Sequence, residues 1–135
     1  MEKQNHPSRP NKKLFSLLGS ILLLLIIPVK TIRWVDPLSN FQFLIGVAPS
    51  FLGTAGLFYL LLSADGKLAQ WSPLRIAILT LVISLGLEFL QLLPRPGILS
   101  HIHYTFDWWD VGFSIVGILI AYSSEIWMRK RRHEV

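Results

Sequence analysis

The residues of this sequence best suited to chemistry are acids and an amide that lie near the end of one apolar stretch and the start of the next. Glu88 and Gln91 are three positions apart, so a helix would place both on one face. Asp107 and Asp110 have the same spacing just before the following apolar stretch. Carboxylate and amide groups gathered in this way could bind a ligand, carry a proton or ligate a metal ion.

The elements that must position these groups are long apolar helices. The chain has 135 residues, of which 52% are hydrophobic and 16% charged, with a mean hydropathy of +0.50. Four stretches are long or apolar enough to cross a bilayer. They cover residues 14–29, 41–63, 74–93 and 108–128. The sequence therefore predicts an all-α, polytopic transmembrane helical bundle of four spans, flanked by basic tails at residues 1–13 and 129–135.

The basic residues indicate an orientation. Ten of the thirteen lysines and arginines lie in the two tails or between spans two and three, and three lie in the other loops. Because cytoplasmic loops carry the excess of positive charge, both tails are expected in the cytoplasm. The clusters sit beside apolar runs rather than on an amphipathic face, so we expect membrane lipids and no nucleic acid as partners.

Polar and small residues form a stripe along each of the last two spans. In span three the stripe consists of Thr80, Ser84, Glu88 and Gln91. In span four it consists of Asp107, Asp110, Ser114, Gly117, Ala121 and Ser124. A short loop makes the two spans antiparallel, so the stripes are expected to meet. Matching their depths to within about one helical turn places Glu88 near Ser114, and Gln91 near Asp110.

Other small residues predict close helix packing. Gly53 and Gly56 lie in span two beside Pro49 and Ser50, and we interpret this group as packing without chemistry. Gly117 is expected to serve the same purpose in span four. Near the end of that span, Glu125 precedes Arg129 by four residues, which predicts an ion pair.

The acidic motifs also resemble a known family. Glu88-Phe89-Leu90-Gln91 is followed by Phe106-Asp107-Trp108-Trp109-Asp110 and then Gly117. This pattern resembles the VanZ-like family of small bacterial integral membrane proteins, which has E-x-x-Q in one span and D-x-x-D, N and G at the start of the next.

Matched by position, the polar family residues fall on Glu88, Gln91, Asp107 and Asp110, while Ser114 stands where the family has Asn. The family's Arg before the first Asp and its Asp-Lys-x-x-His ahead of span two have no counterpart here. The family takes its name from a protein associated with low-level teicoplanin resistance. The resemblance thus implies an envelope role at the bacterial cytoplasmic membrane.

Several functions fit these residues. The first is a non-enzymatic protein, without a cofactor, whose polar cluster binds a lipophilic or lipid-linked molecule or a partner membrane protein. A second is a metal-dependent membrane enzyme, in which His101 and His103 would join the acids. A third is proton-coupled transport through Glu88, which would require an oligomer to enclose a path. In a fourth, the cluster only holds the helices together through buried hydrogen bonds.

Overall fold

The computed structural model describes residues 11–35, 41–93, 97 and 107–134, and those residues form helices and turns without a strand. The helices are α1 (Lys12–Leu24), α2 (Ile26–Val35), α3 (Gln42–Ser63), a 3-10 helix (Gly66–Gln70), α4 (Pro73–Leu90) and α5 (Trp108–His133). Four helical segments are long and apolar enough to cross a membrane: Lys12–Ile32, Gln42–Ser63, Pro73–Leu90 and Trp108–Arg131. The predicted all-α bundle with four spans is confirmed.

The first span is longer than the predicted 14–29, and its two helices form one rod with a local break. Pro28 lacks a backbone N–H, and its ring crowds the carbonyl group four residues earlier. That carbonyl belongs to Leu24, where α1 ends. The ladder of hydrogen bonds nevertheless continues, because Leu25 N–H donates to Ile21 O and Val29 N–H donates to Leu25 O. The span therefore reaches 21 residues.

The third span is shorter than the predicted 74–93. Helix α4 begins at Pro73, with Ser72 as the N-cap, and ends at Leu90. Gln91 and Leu92 then close turns onto Glu88 O and Phe89 O. Because a proline disfavours helical geometry in the residue before it, the helix ends ahead of position 94.

From Thr80 onwards, helix α4 carries its polar side chains inside and most of its large apolar side chains outside. Its buried residues include Thr80, Ser84 and Glu88. Its exposed residues include Leu74, Ile78, Val82, Ile83, Leu87 and Leu90. In water this distribution would be reversed, whereas lipid solvates an apolar exterior and drives polar groups into the bundle.

Helix α3 occupies the centre of the bundle, in contact with α1, α2, α4 and α5. Phe58 and Leu62 from α3 and Ile76 from α4 are completely buried. They belong to a core cluster that also contains Phe15, Ala55, Tyr59, Ala77, Ile118 and Ala121. This core lies towards the end of the bundle where α1 and α4 begin and α3 and α5 finish, here called the lysine end after Lys12 and Lys13.

Two glycine contacts bring helices unusually close to α3. A Cβ atom at Gly19 of α1 would lie 2.8 Å from Gly56 O, and a Cβ at Gly117 of α5 would lie 2.8 Å from Phe51 O. Gly53 differs, because its Cβ would meet only Ile26 Cδ1, at an ordinary 3.7 Å. Gly19 was not among the residues predicted for helix packing.

Candidate functional site

A single serine hydroxyl on α3 lies between two carboxyl groups of the neighbouring helices. Ser50 Oγ is 3.2 Å from Glu88 Oε1 on α4 and 3.1 Å from Asp110 Oδ1 on α5. A hydroxyl has one hydrogen, so it can fully satisfy only one of two ionised carboxylates at a time. Both acids therefore share one donor from a third helix.

The amide of Gln91 completes this group, which we call the acid cluster: Ser50, Glu88, Gln91 and Asp110. Gln91 Nε2 donates to Glu88 Oε2 over 2.9 Å. The amide oxygen Oε1 of Gln91 is buried without a hydrogen-bond partner among the described residues. The hydrogen bond joins the Gln91 amide to Glu88, one turn earlier on the same helix. The pairing of Gln91 with Asp110 from depth matching stays a prediction.

Burial differs across the acid cluster. Glu88 is 9% exposed. Ser50, Gln91 and Asp110 are half-buried, so the cluster has an accessible side. Desolvated carboxylates have a large demand for hydrogen bonds or positive charge, because burial removes the water that would otherwise solvate them.

A second polar contact continues from the cluster between α3 and α4. Thr54 Oγ1 lies 2.9 Å from the carbonyl oxygen of Ser50 and 3.1 Å from Ser84 Oγ. Thr54 and Ser84 are both buried. The polar face of α4 is thus matched by a polar face of α3 as well as by α5.

The two aspartates of the D-x-x-D motif have different environments. Asp107 is the exposed N-cap of α5, and its Oδ1 accepts a hydrogen bond from Trp109 N over 3.1 Å. This is the ordinary capping geometry. Asp110 lies within the first turn of α5, where the helix dipole favours a carboxylate, and approaches Ser50.

Ser114 and Gly117 lie deeper along the same face of α5. Ser114 is almost fully buried, and Gly117 allows α5 to pack closely against α3. Depth matching places Glu88 near Ser114 to within about one helical turn, and the contact through Ser50 links Glu88 to Asp110, one turn nearer the start of α5. Depth matching counts residues along the hairpin of α4 and α5 only. It therefore leaves out α3, whose Ser50 supplies the hydroxyl between Glu88 and Asp110.

Aromatic side chains hold α3 against α5 at the level of the acid cluster. The Phe43 ring meets Trp109 edge to face, with centroids 5.3 Å apart, and it meets Phe113 in a similar arrangement at 6.1 Å. Edge-to-face pairs at these separations are favourable beyond their burial. They help to fix the first turn of α5, and with it Asp110.

Ser50 is the member of the site that the sequence interpretation missed. Its neighbours Gly46, Gly53 and Gly56 suggested a packing surface, and a serine fits such a surface without further explanation. The available signal was the spacing of four residues between Ser50 and Thr54, which puts two hydroxyls on one face of α3.

A separate polar group lies towards the lysine end. The hydroxyl of Tyr59 on α3 contacts Ser124 Oγ on α5, and Ser124 Oγ donates to Ala121 O over 2.8 Å. One turn further, Arg129 Nη2 lies 2.7 Å from Glu125 Oε1, which confirms the predicted ion pair. Glu125 is 5% exposed, so this pair is more buried than an ordinary surface pair.

The structure places limits on a metal site. Within residues 11–35, 41–93, 97 and 107–134, no group of three or more histidine, cysteine, aspartate or glutamate residues could hold a metal ion. His101 and His103 lie outside the described residues. Asp107 already accepts a hydrogen bond as a helix cap.

In comparisons with known proteins, no family model, curated protein or solved structure matches this chain.

Proposed function

We propose that this chain is a VanZ-like integral membrane protein of the bacterial cytoplasmic membrane whose acid cluster binds the donor-bearing part of a lipophilic or lipid-linked envelope molecule. The observation that carries the proposal is the single Ser50 hydroxyl between Glu88 and Asp110. Two carboxyl groups share the Ser50 hydroxyl, and the buried amide oxygen of Gln91 has no hydrogen-bond partner among the described residues. A ligand with amine, amide or hydroxyl donors would supply what the protein lacks.

The surroundings of the cluster favour a ligand with an apolar portion. Leu87, Phe89 and Leu90 are exposed on α4 beside Glu88 and Gln91. An amphiphilic molecule could therefore leave its apolar part in the lipid while its donors reach the half-buried side of the cluster. A fully water-soluble molecule would gain nothing from that apolar approach.

The family resemblance supports the envelope setting. Glu88, Gln91, Asp107 and Asp110 occupy the polar positions of the VanZ-like pattern. With both tails in the cytoplasm, as the distribution of basic residues predicts, the acid cluster faces the outer half of the membrane. Envelope precursors and lipoglycopeptides such as teicoplanin are encountered there, which makes teicoplanin resistance the phenotype to test.

The test combines susceptibility with direct binding. A teicoplanin-sensitive bacterial host expresses the wild-type chain, Glu88→Ala or Asp110→Ala, and the inhibitory concentration of teicoplanin is measured beside the amount of protein in the membrane. The wild-type chain is expected to raise that concentration, and both variants to lose the effect at equal protein levels. Unchanged susceptibility with the wild-type chain would refute the resistance function, and variants as resistant as the wild type would exclude the acid cluster from it.

Binding is measured on the purified chain in lipid nanodiscs, with teicoplanin and with its glycopeptide core lacking the acyl chain. Teicoplanin is expected to bind more tightly than the core, and Glu88→Ala to weaken both. Ser123→Ala is the matched control, because Ser123 is an exposed serine of α5. Equal affinity of Glu88→Ala and Ser123→Ala would exclude the cluster as the binding site.

Proton-coupled transport through Glu88 is the second candidate, and the same pair of carboxyl groups favours it. A proton on one carboxyl would turn that group into a hydrogen-bond donor beside the other, and intramembrane acids commonly mark proton paths. Vesicles containing the chain and a pH-sensitive dye would show proton uptake under an imposed potential. Glu88→Gln, which keeps the size of the side chain, is expected to abolish that uptake.

The metal-dependent enzyme is the third candidate, with no more support from the described residues than the two carboxyl groups of the cluster. Equilibrium dialysis of the purified chain against zinc, magnesium and manganese tests it. Binding of one ion that is lost in both Asp110→Asn and His101→Ala would favour it over ligand binding. Failure to bind any of the three would eliminate it.

A further inference from the structure

An open groove of about 450 Å³ lies at the lysine end, between the start of α1 and the end of α3. It is lined by Lys12, Lys13, Ser16, Leu17, Ser20 and Ser63. None of these residues belongs to the acid cluster, which lies towards the opposite ends of α3 and α5. The groove is of the size that small-molecule sites commonly have, about 300–1,000 Å³.

The groove carries an excess of positive charge. Lys12 forms an ion pair with Asp65, which follows the end of α3. Lys13 is exposed and forms no ion pair with an acid of the described residues. With two lysines against one aspartate, the groove is complementary to an anion.

Hydroxyl groups extend from these lysines along α1. Ser16 and Ser20 follow Lys12 at successive spacings of four residues, so all three lie on one face of the helix. Leu17 adds an apolar wall, and it is one of the exposed large apolar residues of α1. Along α1 the groove thus begins with the two lysines, reaches Ser16 and Leu17 at nearly the same depth and ends at Ser20, so a mixed hydroxylic and apolar surface follows the charged one towards the membrane interior.

That order of surfaces matches a membrane lipid with an anionic headgroup. Lys12 is the first residue of a membrane-spanning segment, which places the charged part of the groove at headgroup level. The dipole of α1 also favours an anion at this position, and the first turn of α1 contains no acidic residue.

We propose that this groove binds an anionic glycerophospholipid from the adjacent leaflet, with its phosphate between Lys13 and the hydroxyl of Ser16. Its glycerol ester groups and upper acyl chains lie along Leu17 and Ser20. The interaction is independent of the ligand of the acid cluster, because the two sites share no residue.

Thermal unfolding of the purified chain in a neutral detergent tests the proposal. Anything that binds the folded protein preferentially raises its Tm. Phosphatidylglycerol is expected to raise the Tm more than phosphatidylcholine with the same acyl chains. Soluble glycerol phosphate, which offers the phosphate without the chains, is expected to leave the Tm unchanged.

Two variants locate the effect. Lys13→Gln removes one charge at an exposed position, and Ser16→Leu fills the groove without changing charge. Both are expected to lose most of the additional Tm shift given by phosphatidylglycerol. Lys67→Gln is the matched control, because Lys67 is an exposed lysine of the 3-10 helix that does not line the groove, and it should keep the full shift.

Three results would overturn the proposal. One is an undiminished phosphatidylglycerol shift in both Lys13→Gln and Ser16→Leu. The second is an equal loss in Lys67→Gln, which would show a general effect of charge. The third is an equal shift with glycerol phosphate, which would identify a soluble anion as the occupant. Because Ser16→Leu keeps every charge and Lys13→Gln keeps the shape of the groove, failure of one variant to fold leaves the other decisive.

Discussion

Gly117 packs so closely against Phe51 that a Cβ atom at position 117 would lie 2.8 Å from the Phe51 carbonyl oxygen. Ser50 is the residue next to Phe51, and Asp110 lies seven residues, or about two turns, before Gly117 on the same face of α5. The close contact therefore limits the separation of α3 and α5 about two turns along α5 from the point where Ser50 reaches Asp110.

Gly117→Ala is expected to push α5 away from α3 and to destabilise the bundle. The neighbouring atom is backbone oxygen, which cannot move aside without shifting the helix, and overpacking of this kind costs about 1–3 kcal/mol. Unfolding in mixed detergent micelles measures the loss. Gly112→Ala is the matched control, because a Cβ at Gly112 would meet nothing within 4 Å. Equal stabilities of the two variants would contradict the close contact.

Ser50→Ala is expected to destabilise the protein because it removes the only hydroxyl that contacts both Glu88 Oε1 and Asp110 Oδ1 in the described structure. A buried acceptor left without a donor costs about 1–3 kcal/mol. Adding Glu88→Gln should recover part of that loss, because the new amide can donate towards Asp110. The free energies of unfolding of both single variants and the double variant give the coupling.

Ser123→Ala again provides the comparison for this series, since it removes an exposed hydroxyl from α5. Surface substitutions usually change stability by less than about 0.5 kcal/mol. If Ser50→Ala were as mild as this control, or if the effects of Ser50→Ala and Glu88→Gln were additive, the hydrogen-bonded cluster would not exist as described.

Arg129→Gln is expected to destabilise α5 because Glu125, whose side chain is 6% exposed, would lose its cationic partner. Oε2 of Glu125 is already buried without a hydrogen-bond partner among the described residues. Loss of a hydrogen bond to a charged group costs about 1.5–3 kcal/mol. Lys130→Gln, at an exposed neighbouring position, should have a smaller effect in the same unfolding measurement.

Glu125→Gln combined with Arg129→Gln should be more stable than Arg129→Gln alone. The double variant removes the buried charge together with its partner, and such replacements are often close to neutral. A double variant less stable than Arg129→Gln would show that Glu125 has another partner.

The polar interior of α4 could be predicted from sequence because it depends on one helix. Thr80, Ser84 and Glu88 recur at the helical period within an apolar stretch, and lipid outside the bundle leaves them only one direction to face. The same reasoning gave the spans, with errors at their ends. The first span begins at Lys12 and continues past Pro28 to Ile32, and hydropathy alone did not predict either end.

The contribution of α3 could not be predicted in the same way. Ser50 lies 38 positions from Glu88 and 60 from Asp110, so no local spacing relates the three residues. Its position between them depends on how α3 packs against both partners, which in turn depends on the glycine contacts of α3 with α1 and α5. Gly19 was missed for the same reason, since its significance lies in a backbone atom of Gly56.

The orientation of the bundle decides whether the acid cluster can meet an envelope ligand, and the chain is convenient for testing it because it contains no cysteine. Leu93→Cys and Lys67→Cys introduce single thiols at exposed positions near opposite ends of α4. In intact cells, a membrane-impermeant maleimide is expected to label Leu93→Cys and to label Lys67→Cys only after permeabilisation. The reason is that the lysine end carries most of the basic residues, which favour the cytoplasmic side. The reverse pattern would place Glu88 and Asp110 towards the cytoplasm and would exclude capture of an envelope molecule from outside.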